Sequence, residues 1–135
     1  MTVKVLIIDD SVMMQMIVSE IVKSDSALEV IGTADNGMDG IEKVRALKPD
    51  VVLLDIEMPV MNGLDCMKRL KLESKAKVII LSSVAQVGSA QAIEARQLGA
   101  ADVIAKPSGA VSLDLSAKKG HVITQAVKNV EIGRA

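Results

Sequence analysis

No phenylalanine, tyrosine or tryptophan occurs anywhere in the 135 residues. Without rings the chain has no platform on which to stack a flavin. Its interior must be filled by Val, Ile, Leu, Ala and the eight Met. A large excess of either charge is also missing: 16 Lys and Arg against 17 Asp and Glu leave a net charge of −1. The clustered cationic surplus of a nucleic-acid surface is therefore absent, and no nucleic-acid partner is expected. The single cysteine, Cys66, cannot close an internal disulfide. It falls in a helical pattern with Leu64, Met67 and Leu70 and reads as a reduced, partly buried thiol, which fits a cytoplasmic protein. No apolar run approaches the length of a membrane span. The N-terminal run ends at two Asp, too soon for a signal-peptide core, so no membrane partner is expected either.

What the chain does have is four short apolar runs, each breaking off at a functional group. Val5-Leu6-Ile7-Ile8 stops at Asp9-Asp10, Val51-Val52-Leu53-Leu54 at Asp55, Val78-Ile79-Ile80-Leu81 at Ser82-Ser83, and Val103-Ile104-Ala105 at Lys106-Pro107. Continuous β-branched runs of this length read as strands buried on both faces of a parallel sheet. A further strand is predicted over Leu28–Thr33. Segments of helical period lie between the strands: Val12 to Val22 after a Ser11 cap, Met38 to Leu47 before Lys48-Pro49, Leu64 to Leu72, Ala92 to Leu98, and Val122 to Val130. Five strands alternating with five helices imply right-handed crossovers and a single α/β domain over residues 1–135. That domain is a doubly wound five-stranded parallel sheet in the order 2-1-3-4-5.

In such a sheet the carboxyl ends of the strands share one edge, and ligands bind there. The edge would gather three carboxylates, a hydroxyl and an ammonium. Mg²⁺ suits it, being a hard cation that takes oxygen ligands and is commonly held by one or two carboxylates plus phosphate. Asp10 and Asp55 are expected as direct ligands, Asp9 through water, and Glu57 through its backbone carbonyl. Carboxylates about 5 Å apart repel by roughly 3 kcal/mol at an effective dielectric of 20, so the cluster needs a cation and Lys106 close by. A carboxylate can accept a phosphoryl group through a loose transition state, for which the protein has only to position groups and neutralise oxygens. Asp55 would attack, while Lys106 and Ser82 would take phosphoryl oxygens. Singly, each residue has an ordinary explanation as a helix-start acid, turn residue, cap or solvated charge. Their order at four strand ends argues against coincidence.

These residues resemble the receiver domain of two-component response regulators, with a CheY-like, flavodoxin-like fold, from Lys4 to about Pro107. The acidic pair is Asp9-Asp10, the phosphoacceptor block is Leu53 to Gly63 around Asp55, and the switch hydroxyl and lysine are Ser82 and Lys106. The resemblance implies phosphorylation of Asp55 by a histidine kinase and a rearrangement of the surface of helix 4, strand 5 and helix 5. It also implies a cis Lys106–Pro107 bond. A narrower similarity, to the receiver half of chemotaxis protein-glutamate methylesterases, lies in Ser82-Ser83-Val84, Leu98 to Asp102 and Lys106 to Asp114. The chain carries no G-x-S-x-G nucleophile elbow. It is therefore expected to be no enzyme beyond its own phosphorylation and dephosphorylation, and to regulate a methylesterase domain lying outside it. A free-standing receiver acting on another effector protein is the alternative. A Mg²⁺-dependent aspartyl-phosphate phosphatase is more distant, since those enzymes carry a D-x-D nucleophile on strand 1. One departure stands out: Val103 occupies the place, three before the lysine, where receivers usually carry an aromatic switch residue. Ser82 and helix 4 would then carry the signal. His121 is read as solvated or packed. Most of the methionines are read as packing residues, with Met58 and Met61 as possible partner contacts.

Overall fold

The structure is a computed structural model that describes residues 2–57, 63–82, 88–106 and 122–130. Its strands are β1 (Val3–Ile8), β2 (Leu28–Ala34), β3 (Val51–Asp55), β4 (Lys77–Ser82) and β5 (Asp102–Ala105). The helices between them are α1 (Val12–Lys23), α2 (Gly37–Leu47), α3 (Gly63–Glu73) and α4 (Ala90–Gln97), and residues 122–130 form α5. The sheet runs β2-β1-β3-β4-β5 with every pairing parallel, as the alternation of apolar runs implies.

Alternate residues of each strand face opposite ways, so each strand supplies both layers of the core. Leu6, Ile8, Val52, Leu54, Ile80 and Val103 pack with Ile41 and Val44 of α2, Met67 and Leu70 of α3, and Ala92 and Ala95 of α4. Val5, Ile7, Val51, Leu53, Ile79, Leu81 and Ile104 pack with Val18, Ile21 and Val22 of α1 and Ile123, Ala126 and Val127 of α5. Both faces of the sheet are covered, which is why its strands read as unbroken apolar runs.

Helix ends follow local chemistry. Ser11 Oγ accepts from Met14 N at 3.2 Å, and Asn36 Oδ1 accepts from Asp39 N at 2.8 Å. Before Pro49, Lys48 turns out of the helix into the left-handed region at φ 51°.

The helical faces hold the corrections. Among the described methionines Met67 is buried and Met14 is packed, partly buried, against the core, whereas Met13 is 66% and Met16 is 64% exposed, and Met38 is exposed too. Leu72 (87% exposed), Ala46, Leu47, Ile93 and Val122 also point to solvent, although their spacing placed them on buried faces. A helix on a sheet buries only the stripe that meets the strands, and apolar residues flanking that stripe stay outside. Cys66 is fully rather than partly buried, and burial pushes its thiol up to about 12. Among the described residues no helix is long and apolar enough to cross a membrane.

One contact sets how closely α2 lies on β1. A Cβ built on Gly40 would sit 2.4 Å from Ile8 Cδ1 and 2.9 Å from Cγ1. Ile8 is fully buried and β-branched, so it has little room to yield. Replacing a helical Gly by Ala ordinarily gains about 1 kcal/mol, whereas overpacking a core costs about 1–3 kcal/mol. Gly40→Ala is therefore expected to destabilise by about 1 kcal/mol net, and a urea titration of both proteins checks the sign.

Candidate functional site

The ladder runs to the ends of the strands, which fixes what stands there. Asp9 N donates to Ala34 O at 2.9 Å, Ile56 N to Leu81 O at 3.1 Å, and Lys106 N to Ser82 O at 2.8 Å. Asp9, Asp55 and Ser82 are fully buried, Asp10 is exposed beside them, and Lys106 reaches in from beyond β5 with a side chain 17% exposed. Asp9, Asp10 and Asp55 each offer a carboxylate oxygen within 4.8 Å of the others. Lys106 Nζ lies 2.9 Å from Asp55 Oδ1 and 3.8 Å from Asp9 Oδ2. All the acidic and basic residues expected at the strand ends are thus brought together.

Two backbone donors orient the buried carboxylates. Ser11 N donates to Asp9 Oδ1 and Glu57 N to Asp55 Oδ1, both at 2.9 Å. The second bond brings the backbone N–H of Glu57 to the site. Burial raises the Asp55 carboxyl to about 6, against the hydrogen bonds from Lys106 and Glu57 N, and the Asp9 charge adds to the rise. Burial raises Asp9 as well. For Lys106 burial works downward, but the bond to Asp55 and the charges of Asp55, Asp9 and Glu57 outweigh it and hold the ammonium above its ordinary value.

Asp9 Oδ2, Asp55 Oδ2 and Ser82 Oγ are buried without a hydrogen-bond partner among the described residues. Buried polar atoms are ordinarily satisfied, so three orphans in one place mark a site shaped for something else. Carboxylate and hydroxyl oxygens under partial repulsion fit a hard divalent cation and the oxygens of an anion it carries. The donor set therefore fits Mg²⁺.

Two further side chains stand at the strand ends with no motif to announce them. Gln15 Nε2 donates to Asp9 O at 2.7 Å and to Ala34 O at 3.3 Å, and Lys43 Nζ donates to Thr33 O. Neither lies in a recognisable motif, since both act on backbone carbonyls. Met58, Met61, Ser83, the Lys106–Pro107 bond, Ser108–Asp114 and His121 lie outside the described residues.

Comparison with known proteins places these features in company. The sequence family described as the response regulator receiver domain matches residues 5–118. The protein-glutamate methylesterase/protein-glutamine glutaminase 1 of Syntrophomonas wolfei is 48% identical over 120 residues, covering 89% of this chain and 34% of that protein. The corresponding protein of Geobacillus kaustophilus is 48% identical over 122 residues, 90% of this chain and 35% of that one. The chain thus spans about a third of the length of these relatives. Among solved structures, the response regulator domain of Thermotoga maritima CheB superposes with a TM-score of 0.86 at 35% identity, covering 96% of both chains. A structure of the P1 domain of CheA3 in complex with CheY6 from R. sphaeroides matches with a TM-score of 0.79 at 38% identity, again over 96% of both chains.

Proposed function

This chain belongs to the response regulator receiver domain family, and from that membership we propose that Asp55 is its phosphoacceptor, charged by a histidine kinase with Mg²⁺ at Asp10 and Asp55. The observation that carries the reading is the buried Asp55 carboxylate, 2.9 Å from Lys106, whose Oδ2 is orphaned together with Asp9 Oδ2 and Ser82 Oγ.

Bound Mg²⁺ would neutralise charge on the phosphoryl oxygens. The residues of this chain supply the rest. An Asp55 oxygen forms the bond to phosphorus as the bond from phosphorus to the donor nitrogen breaks, and the leaving imidazole takes up a proton. Lys106 faces the oxygens on which negative charge is spread, and the Ser82 hydroxyl can donate to one of them. Both side chains are fixed before the donor arrives, which is where electrostatic positioning lowers a barrier. Asp9, tied to Ser11 N, would hold the cation's water, and the Glu57 carbonyl would add an oxygen.

The similarity to receivers of methylesterases extends the proposal to an output domain of that kind, in a chemotaxis-type pathway in the cytoplasm. Phosphorylation would relieve its restraint by reshaping the surface of α4, β5 and α5. A phosphodonor assay on full-length parent protein bears on that part: ester hydrolysis indifferent to phosphodonor would remove it.

Acetyl phosphate with MgCl₂ is expected to add one phosphoryl group to the wild type and none to Asp55→Asn, as read by intact mass. Chelation of divalent cations is expected to abolish labelling. Undiminished labelling of Asp55→Asn would assign another nucleophile, and labelling in EDTA would contradict the metal-assisted mechanism.

A further inference from the structure

One bond network beside the acidic group takes no part in phosphoryl transfer. Gln15 sits on α1, its backbone N–H bonded to Ser11 O at 2.9 Å. Its side chain turns back to the sheet, where Nε2 donates to Asp9 O at 2.7 Å and reaches Ala34 O at 3.3 Å. These carbonyls stand where the β1–β2 ladder runs out, and Ala34 O already accepts the last ladder bond from Asp9 N. With the Asp9 carboxylate accepting from Ser11 N, the bonds close a ring through residues 9, 11 and 15.

The ring fixes a plane. The Asp9 carbonyl shares a rigid peptide with Asp10 N and Cα, so holding that oxygen fixes the plane in which those atoms lie and the base from which the Asp10 side chain departs. Asp10 is the member of the acidic group with the least support of its own. It is exposed, and no side-chain hydrogen bond among the described residues orients its carboxylate. Asp9 and Asp55, by contrast, are each held by a backbone N–H.

We propose that Gln15 is a positioning residue of this site: by donating to the Asp9 carbonyl it holds the Asp9–Asp10 peptide so that Asp10 presents its carboxylate to the divalent cation. The inference rests on the reading that Mg²⁺ binds at Asp10 and Asp55. Partners of this outer kind ordinarily change metal affinity by about 10- to 100-fold when removed.

Charge and hydrogen-bond donation can be separated at position 15. Gln15→Met removes the donor with little change of shape or charge. Gln15→Glu removes it and adds a negative charge, which by itself would strengthen cation binding. Gln15→Lys keeps a donor and adds a positive charge, which by itself would weaken binding. Lys43 already serves the neighbouring strand-end carbonyl of Thr33 in this way.

Calorimetric titration of MgCl₂ into the full chain and the three variants is the experiment, with thermal midpoints in EDTA as the control for folding. Positioning by donation gives the affinity order wild type, then Lys, then Met and Glu, with Met weaker than wild type by about tenfold or more. It also leaves midpoints in EDTA close together. An order set by charge, with Glu tightest and Lys weakest, would overturn the inference, as would Met binding within twofold of wild type. Should the Met variant fail to fold, the Lys and Glu variants still rank in opposite directions under the two accounts. Absence of Mg²⁺ binding by the folded wild type would overturn the metal reading itself, and this inference with it.

Discussion

Lys106→Met is expected to slow labelling of Asp55 by acetyl phosphate by about 100- to 1,000-fold, the range seen when one preorganised charge-stabilising donor is removed from a site. Two effects act in the same direction. The ammonium stands 2.9 Å from Asp55 Oδ1, where it faces the charge that spreads over an arriving phosphoryl group. It also pulls the Asp55 carboxyl down against burial, so its loss sends that carboxyl further above about 6. More of the acid is then protonated at neutral pH and unable to attack. Time courses by intact mass, with saturating MgCl₂ for each protein, measure the rate. A variant within a factor of five of wild type would mean that Lys106 serves only to hold the resting carboxylates together.

The second large effect is on stability and has the opposite sign from most substitutions of buried residues. In EDTA at pH 7.5, Asp55→Asn is expected to be more stable than the wild type. The folded value of Asp55, about 6, lies above the ordinary carboxyl value of 3.8. Such a group favours the folded state fully below its unfolded value, and that contribution is lost as pH rises through about 6. A shift of about two units is worth at most about 3 kcal/mol. About 2 kcal/mol is the expected gain for the amide, which keeps an oxygen for Lys106 and for Glu57 N. For a domain of this size that corresponds to roughly 5–10 °C in midpoint.

The wild type should therefore gain stability on acidification from pH 7.5 to 5, and Asp55→Asn should gain less. Asp9, also raised, works in the same direction. Asp25 and Glu73 are held low by Lys128 and Arg45, so their contributions fade only below that window. The raised Lys106 loses its contribution only at alkaline pH. Melting curves of both proteins at several pH values decide the matter. Equal midpoints, or a wild type that weakens between pH 7.5 and 5, would refute the account. MgCl₂ should narrow the gap, since a ligand that binds only the folded wild type stabilises it by mass action.

The sheet and the composition of the site were legible because both rest on short-range signals. Strands buried on both faces need apolar residues at every position, and Val51 to Leu54 could hardly be read otherwise. Groups at strand ends are placed by topology alone, so Asp9, Asp10, Asp55, Ser82 and Lys106 came together once the parallel order was right. The helices were less legible. Met13 and Met16 on α1 and Leu72 on α3 carry apolar side chains into solvent, and periodicity cannot tell the stripe that meets the sheet from its flank. Gln15 and Gly40 are illegible for a different reason. One acts on backbone carbonyls and the other by having no side chain, and neither leaves a compositional mark.

Helix α4 rests on very little. Of its eight residues only Ala92 and Ala95 are buried, and they belong to the same core layer as Val103, the position where receivers usually carry a ring. Each methyl group contributes roughly 1 kcal/mol of burial, far less than the Leu and Ile side chains that seat the other helices. Such an element can part from the sheet without disturbing the rest, and local opening of this kind draws on the least stable part of a fold. The absence of a ring therefore has a compensation. Two methyl groups hold α4 by less buried surface than a bulky aromatic side chain would, so under the proposed phosphorylation a small displacement at Ser82 and Lys106 would meet a loosely latched door.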